Sequence, residues 1–587
     1  MLLFDNPYRD LFVGLTPRRH PGAATLGGIG VAIGGSVAAF LALLCVAPIH
    51  DPFTQGHPIL MPAQIWRLAV WRDLDLPIGL RLGCALLIGL CVGLYAAYRI
   101  WIQTAPTEPF RQIDPADPKI YWGDLARMRL QQAFRDEGGR TTEPGLWLAP
   151  YLAIPRPLEA RNIMILGVPG SGKSNLCRAL CQSAIDRGDR LVLHCAKGDV
   201  TSAFRRQDVI LISPTHQDSW AWDLGADIDG PAAAAEFARD VIPASAQPFW
   251  SDTARLVLAD VITSVQEENG ANWDARTLLE YLLAAPQDIQ ARIAGQDLSA
   301  SPLLGPEGAE EVSRTVEGVM TTLLSGALTT LRPLARAWSR QPRERRVSLK
   351  RFLAPDWTGP GVLIVQTNPD FEQLSTAVCG GILKRICAQV TSPAFKAGKP
   401  RVTMVLDEFY KLGRLEGFVK SLSVGREKGL VVVLALQSVW QLREHYGEGA
   451  EALSDLFQIK VYGRHAAGEG AQDAARRLGT RKIRGSELNR HSSQTNAGRL
   501  KPLEIELPVF SETQLQSEVG LFFPGTPAEV VRAVLHYAGT AYRLDWPPTR
   551  WQRQSQGYVP APWTRGPLRP AAEPGEPRAP ETRSDRG

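Results

Sequence analysis

The chain holds 587 residues, more than one hydrophobic core accommodates, so a single-domain protein is excluded. Its 44% apolar and 21% charged content exclude a disordered chain, and a net charge of +5 is too slight to assign a nucleic-acid partner. Eight cysteines without a C-x-x-C pair, and histidines without H-E-x-x-H spacing, favour packed or reduced thiols over zinc or disulfides.

The first predicted elements are apolar. Residues 23–47 carry no charge and as a helix extend about 37 Å, enough for a bilayer. The run is too long for a signal peptide, and Gly30 and Gly34 have a close-packing spacing. A second run, Leu82 to Ile102, is interrupted only by Arg99, which can snorkel, and carries G-x-x-x-G at Gly89 and Gly93. The expectation is a two-helix transmembrane hairpin, with spans about 23–47 and 80–102, making residues 1–103 a membrane anchor. The alternative is a buried hairpin of a soluble domain. Two spans leave both termini on one side. A nucleotide site further on makes that side the cytoplasm; Arg9, Arg18 and Arg19 agree, while Arg67, Arg72 and Arg81 blunt the charge rule.

A Pro-rich connector and a polar helix, residues 104–144, lead to "NIMILGVPGSGKSNLCRAL". An apolar strand, Gly167, Val168, Pro169, Gly170, Ser171, Gly172, Lys173, Ser174 and Asn175, then an apolar helix make a P-loop in its proper context. Such a turn aims backbone N–H groups at phosphate oxygens, with the helix dipole behind them. Lys173 is expected on the β/γ-phosphates and Ser174 on Mg²⁺. No N-K-x-D motif follows, which disfavours a GTPase.

The runs "RLVLHC", "DVILIS", "GVLIVQT", "RVTMVLDE", "GLVVVLALQ" and "FQIKVYG" read as buried parallel strands covered by helices, an α/β domain. Roughly 150 residues separate the second of these from the third, far beyond one crossover helix. Their helical periodicity predicts an all-α domain inserted over residues 225–345, with the α/β domain at 145–224 and 346–548.

In "VTMVLDEFYKLG" the strand ends in Asp407, placed to hold Mg²⁺ partly through water, and Glu408, the candidate base for the attacking water. By itself the acidic pair reads more often as a helix N-cap; the P-loop in the same chain favours catalysis. The next strand ends at Gln437, a candidate γ-phosphate sensor or a loop hydrogen-bonder.

Together "HCAKGD", "SPTHQDSWAWDLG", "LDEFYKLG", "VGREKGLVVVLALQSVWQLREHYG" and "RRLGT" resemble the motifs of the TraD/TrwB family of conjugative coupling proteins, in similar order and spacing. The resemblance covers the paired spans and about residues 145–545. It implies a RecA-like P-loop ATPase, homo-hexameric and tethered to the bacterial inner membrane, with the bulk of each subunit cytoplasmic. It further implies that ATP hydrolysis drives relaxase-bound DNA, single-stranded in this reading, into a type IV secretion channel. Carried over by position, it supports the P-loop and acidic pair, Gln437 as sensor, Arg426 as candidate arginine finger and Arg161 as a second interfacial arginine. The chain departs at its end, where residues 549–587 are Pro/Arg-rich and expected to be disordered rather than a long acidic tail.

Two basic stretches are candidates for DNA. One puts Arg332, Arg336 and Arg340 on a helical face with Trp338 nearby; the other is "RRLGTRKIRGSELNR". A solvated helix face explains such runs equally. Other readings of the motor core are an FtsK/HerA-like DNA translocase and an ATP-gated docking scaffold for protein substrates.

Overall fold

A strand apolar on both faces is stable only when both faces are covered. Seven such runs form the core of a sheet: β1 (Ile163–Leu166), β2 (Arg190–Cys195), β3 (Val209–Ile212), β4 (Val362–Gln366), β5 (Val402–Leu406), β6 (Leu430–Leu436) and β7 (Ile459–Tyr462). They lie parallel in the order β3-β4-β2-β5-β6-β1-β7. Two antiparallel strands, β8 (Gly520–Phe522) and β9 (Val530–Tyr537), continue from β7, with β9 on β7 and β8 on β9. The computed structural model describes residues 21–46, 76–103, 111–112, 119–138, 144–149, 152–294, 310–396, 401–488 and 500–565. The chain divides into two compact units. The sheet belongs to the larger, made of residues 133–474, 512–538 and 545–587.

The chain leaves this sheet after β3 and returns before β4. At the neck, Ala221–Trp222 pairs in parallel with Arg346–Val347. Asp227, fully buried, accepts from Trp222 Nε1 and Leu349 N at 2.7 Å on one oxygen, and from Ser348 Oγ at 2.7 Å and Lys350 N at 3.2 Å on the other. Four donors offset the desolvation of that carboxylate, so the "WAWDLGAD" stretch clasps the two chain crossings together. Between them the described residues are helical: Pro231–Val241, Pro248–Asn269, Ala275–Leu282, Pro286–Ile293 and Glu310–Trp338. Their core is Val257, Leu258, Ile262, Leu278, Leu323 and Leu331.

In the smaller unit, residues 1–132, 475–511 and 539–544, Pro21–Val46 and Leu76–Gln103 are helices, slightly longer than the expected spans. They pack antiparallel through small residues. A Cβ at Gly89 would lie 2.0 Å from Ser36 Oγ and one at Gly28 2.7 Å from Ala97 Cβ, whereas Gly30 and Gly34 face open space. The second glycine pair therefore lies at the contact and the first does not. Among the residues whose side chains are described there, 26–39 and 83–99, no helix is long and apolar enough to cross a membrane. Arg67 and Arg72 of the expected external loop lie outside the described residues, while Arg81 falls within the helix Leu76–Gln103. The connector is more structured than expected: Lys119–Trp122 pairs in parallel with residues 540–543, and Tyr121 stacks on Tyr542. The second basic stretch runs into an antiparallel hairpin, Thr480–Leu488 with Leu500–Pro508.

The expectation of a disordered tail over 549–587 is corrected for residues 549–565. Gln554 N and Ser555 N donate to Ser202 O at 2.8 and 3.1 Å, Gln217 N to Val559 O at 2.8 Å, and Ala561 N to Thr215 O at 2.8 Å. Trp551 packs on Phe204 and Trp563 on Phe371. Overall Pro/Arg content hid two half-buried aromatics, Trp551 and Trp563, whose packing offsets the entropy of ordering the strap. Residues 566–587 lie outside the described set. Ending the chain at Pro548 is expected to cost about 2–4 kcal/mol, at about 1–2 kcal/mol for each half-buried tryptophan. The unfolding midpoint of the larger unit should drop by about 2–5 °C relative to a chain ending at Arg565. Equal midpoints would show that the strap adds no stability.

Candidate active site

Four neighbouring strands, β1, β6, β5 and β2, deliver their C-terminal ends to one crevice, the place where open α/β sheets bind ligands. β1 contributes the P-loop, followed by the helix Lys173–Arg187. The loop is tied down by Gly167 N to Leu436 O at 3.1 Å and Val168 N to Arg464 O at 2.8 Å. Gly172 has φ 93°, and a Cβ there would sit 2.6 Å from Val531 Cγ1, so the turn into the helix admits no side chain. Asn175 N and Leu176 N donate to Gly172 O at 3.0 and 3.2 Å, which leaves the Lys173 and Ser174 amides ahead of the first helical bonds, at a helix end that favours anions. Lys173 Nζ donates to Gly167 O at 2.5 Å and Val168 O at 3.1 Å. Burial holds its pKa below the usual lysine value, with Asp407 partly offsetting this.

Asp407 follows β5 directly. Ser174 Oγ donates to its Oδ2 at 3.3 Å, and Glu408 N donates to Oδ1 at 3.0 Å. Burial and the like charge of Glu408 raise the Asp407 pKa, while Lys173 opposes them. Behind it, His194 Nδ1 donates to the Asp407 carbonyl oxygen at 2.5 Å, and burial lowers that imidazole to about 4, so it is a neutral prop. Glu408 adopts the left-handed region, φ 50° and ψ 46°, which is strained for a residue with a Cβ and turns its carboxylate into the crevice. Its two oxygens are engaged by different cations, Lys197 Nζ and Lys411 Nζ, each at 2.5 Å. Burial pushes its pKa up, but the two lysines outweigh this and leave it depressed. Gln437, at the end of β6, lines the same crevice, and its N–H is held by Gln441 Oε1 at 2.9 Å.

Of the expected residues, Pro169, Gly170, Gly172, Lys173, Ser174, Asn175, Asp407, Glu408 and Gln437 line one pocket. Arg426 does not; it is exposed near the C-terminal end of the helix Phe418–Lys428, without an ion-pair partner among the described residues. Arg161 is committed within its own unit, to Glu137 Oε1 at 2.6 Å and Tyr537 Oη at 2.9 Å, which removes the free guanidinium an interfacial role needs. Arg332, Arg336 and Arg340 are all exposed at four-residue spacing, but Trp338 is 3% exposed with Nε1 on Ser219 Oγ at 3.1 Å and offers no stacking face. Nine further residues line the pocket without having been expected there, among them Lys197, Leu521, Glu529, Thr549 and Arg550. Asn175 brings in the last two by accepting from Thr549 N at 2.5 Å and donating to Pro547 O at 3.2 Å. Of these five, Lys197 alone carried a signal, its place in the "HCAKGD" segment.

The family model described as the type IV secretion-system coupling protein DNA-binding domain matches residues 148–503. Coupling protein TraD of Escherichia coli (strain K12) is 25% identical over 339 residues, a match spanning 56% of this chain and 45% of TraD, so the chain spans about half of that relative. Among solved structures, the bacterial conjugative coupling protein TrwBdeltaN70 in its unbound monoclinic form has a TM-score of 0.61 at 19% identity, covering 77% of this chain and 97% of that one. Plasmid coupling protein TrwB in complex with ADP and Mg²⁺ has a TM-score of 0.60 at 20% identity, covering 77% and 98%. These structural likenesses bear on the fold.

Proposed function

This chain belongs to the family of the type IV secretion-system coupling protein DNA-binding domain, and on that premise we propose that it is a membrane-anchored ATPase that couples hydrolysis to delivery of relaxase-bound DNA into a type IV secretion channel. The observation that carries the ATPase reading is the convergence of Lys173, Ser174, Asp407, Glu408 and Gln437 at the ends of adjacent parallel strands. One relative, TrwB, has been seen with ADP and Mg²⁺. The residues here fit that pair. The turn at Gly172 excludes side chains, and the Ser174 hydroxyl and Asp407 carboxylate lie together. No group of three or more His, Cys, Asp and Glu suited to a metal occurs among the described residues, as expected for Mg²⁺, which takes few protein ligands and keeps phosphate and water. Bound Mg²⁺ would neutralise charge on the β- and γ-phosphates. In this reading Lys173 cradles the same phosphates, Glu408 orients the attacking water, Gln437 reports loss of the γ-phosphate, and Arg426 reaches the pocket of the next subunit in a homo-hexamer.

Support for the membrane anchor comes from the two helices of 26 and 28 residues, whose outward residues include Leu26, Ile29, Ile33, Leu86, Leu87 and Leu90, all exposed and apolar. The inner membrane is the proposed location, with the bulk of the chain cytoplasmic. Sequence-blind contact with DNA is assigned to cationic faces such as Arg332, Arg336 and Arg340. The test is ATP hydrolysis by the purified full-length protein with single-stranded DNA, duplex DNA or none. Stimulation by DNA is expected; hydrolysis indifferent to DNA would favour a docking scaffold.

A further inference from the structure

Lys197 has no place in the roles assigned so far, yet it stands inside the crevice. It lies in the turn after β2, beside β5 in the sheet, and lines the pocket with Lys173 and Ser174. The turn is held from three directions. Gly198 N donates to Cys195 Sγ at 3.2 Å, Asp199 pairs with Arg178 of the P-loop helix at 2.9 Å, and the C-terminal strap presses Gly557 so closely on Gly198 that a Cβ at Gly557 would meet the Gly198 carbonyl oxygen at 2.3 Å. The backbone is therefore fixed while the side chain, 65% exposed, is free to swing. Its ammonium sits on Glu408 Oε1, and Lys411 holds Oε2. A carboxylate neutralised from both sides is a poor acceptor for a water proton.

We propose that Lys197 is a second phosphate-binding lysine, which exchanges the Glu408 carboxylate for the terminal phosphate of a bound nucleoside triphosphate and so frees Glu408 to orient water. The role rests on the nucleotide site proposed above. A terminal phosphate carries more charge than a carboxylate and three acceptor oxygens, so it outcompetes Glu408 for the ammonium. A diphosphate lacks that group, and with it bound Lys197 stays on Glu408. The base is thereby released only when there is a bond to hydrolyse. Lys411 provides the internal comparison, because it shares the carboxylate but does not line the pocket.

The full-length protein tests this through its affinities for a non-hydrolysable ATP analogue and for ADP. Lys197→Met should weaken the triphosphate by about 10- to 100-fold, the range for losing a charge-assisted hydrogen bond, and leave ADP unchanged. Lys197→Arg should restore most of the preference, and Lys411→Met should keep it. Equal weakening of both nucleotides, or an unchanged triphosphate preference, overturns the role. Failure of the parent protein to bind either nucleotide overturns the nucleotide site and this role with it.

Discussion

Lys173→Ala is expected to abolish measurable ATP binding, whereas Glu408→Gln binds ATP like the parent and turns it over at least about a hundredfold more slowly. The two residues act at different stages. Lys173 is half-buried against the P-loop carbonyls, 2.5 Å from Gly167 O, where an ammonium neutralises phosphate charge as soon as nucleotide enters. Its loss is felt in the ground state. Glu408 acts on water, and Gln keeps its size while removing its charge, so the defect falls on the chemical step. The prediction also depends on the left-handed backbone at Glu408, which Gln tolerates as well as Glu does. Equilibrium binding of a fluorescent ATP analogue, with single-turnover hydrolysis, separates the two effects. Parent-like turnover by Glu408→Gln would remove that residue from the chemistry.

Arg426→Ala is expected to lower ATPase activity by about 10³-fold, the scale of losing an arginine finger, and to recover part of it when mixed with Lys173→Ala subunits. Arg426 is absent from the pocket of its own chain and is exposed. A guanidinium so placed can reach a phosphate only in a neighbouring subunit. A ring mixed from the two inactive variants contains interfaces at which an intact Lys173 meets an intact Arg426. If subunit exchange is confirmed by fluorescence and no activity returns, Arg426 has no trans-acting role; a helix-end or DNA-contacting role then accounts for it.

Elements whose sequences carry their own reason for folding were legible. The P-loop reads through glycines that no other residue replaces, β5 through an apolar run ending in two carboxylates, and the helical insertion through a 3.6-residue period across an interval too long for a crossover. Missed elements depend on partners distant in sequence. Lys119–Trp122 is a four-residue strand that exists because residues 540–543 pair with it. The strap 549–565 has a disordered composition and is held by backbone acceptors at Ser202 and Thr215. Trp338 looked available beside three exposed arginines, but it lies a half-turn from Arg336 and Arg340, on the buried face. Lys197 was visible as a letter in a motif, but its meaning comes from β2 and β5 being neighbours, and the sequence alone does not state strand order.

The central claim is that ATP hydrolysis by this chain moves DNA. The most direct measurement is displacement of streptavidin from the end of a biotinylated single-stranded DNA by the full-length protein, with ATP, with a non-hydrolysable analogue, and with Glu408→Gln. Displacement is expected with ATP and the parent protein alone. Parent protein that binds the DNA and hydrolyses ATP on it, yet leaves streptavidin in place at either end, would contradict it.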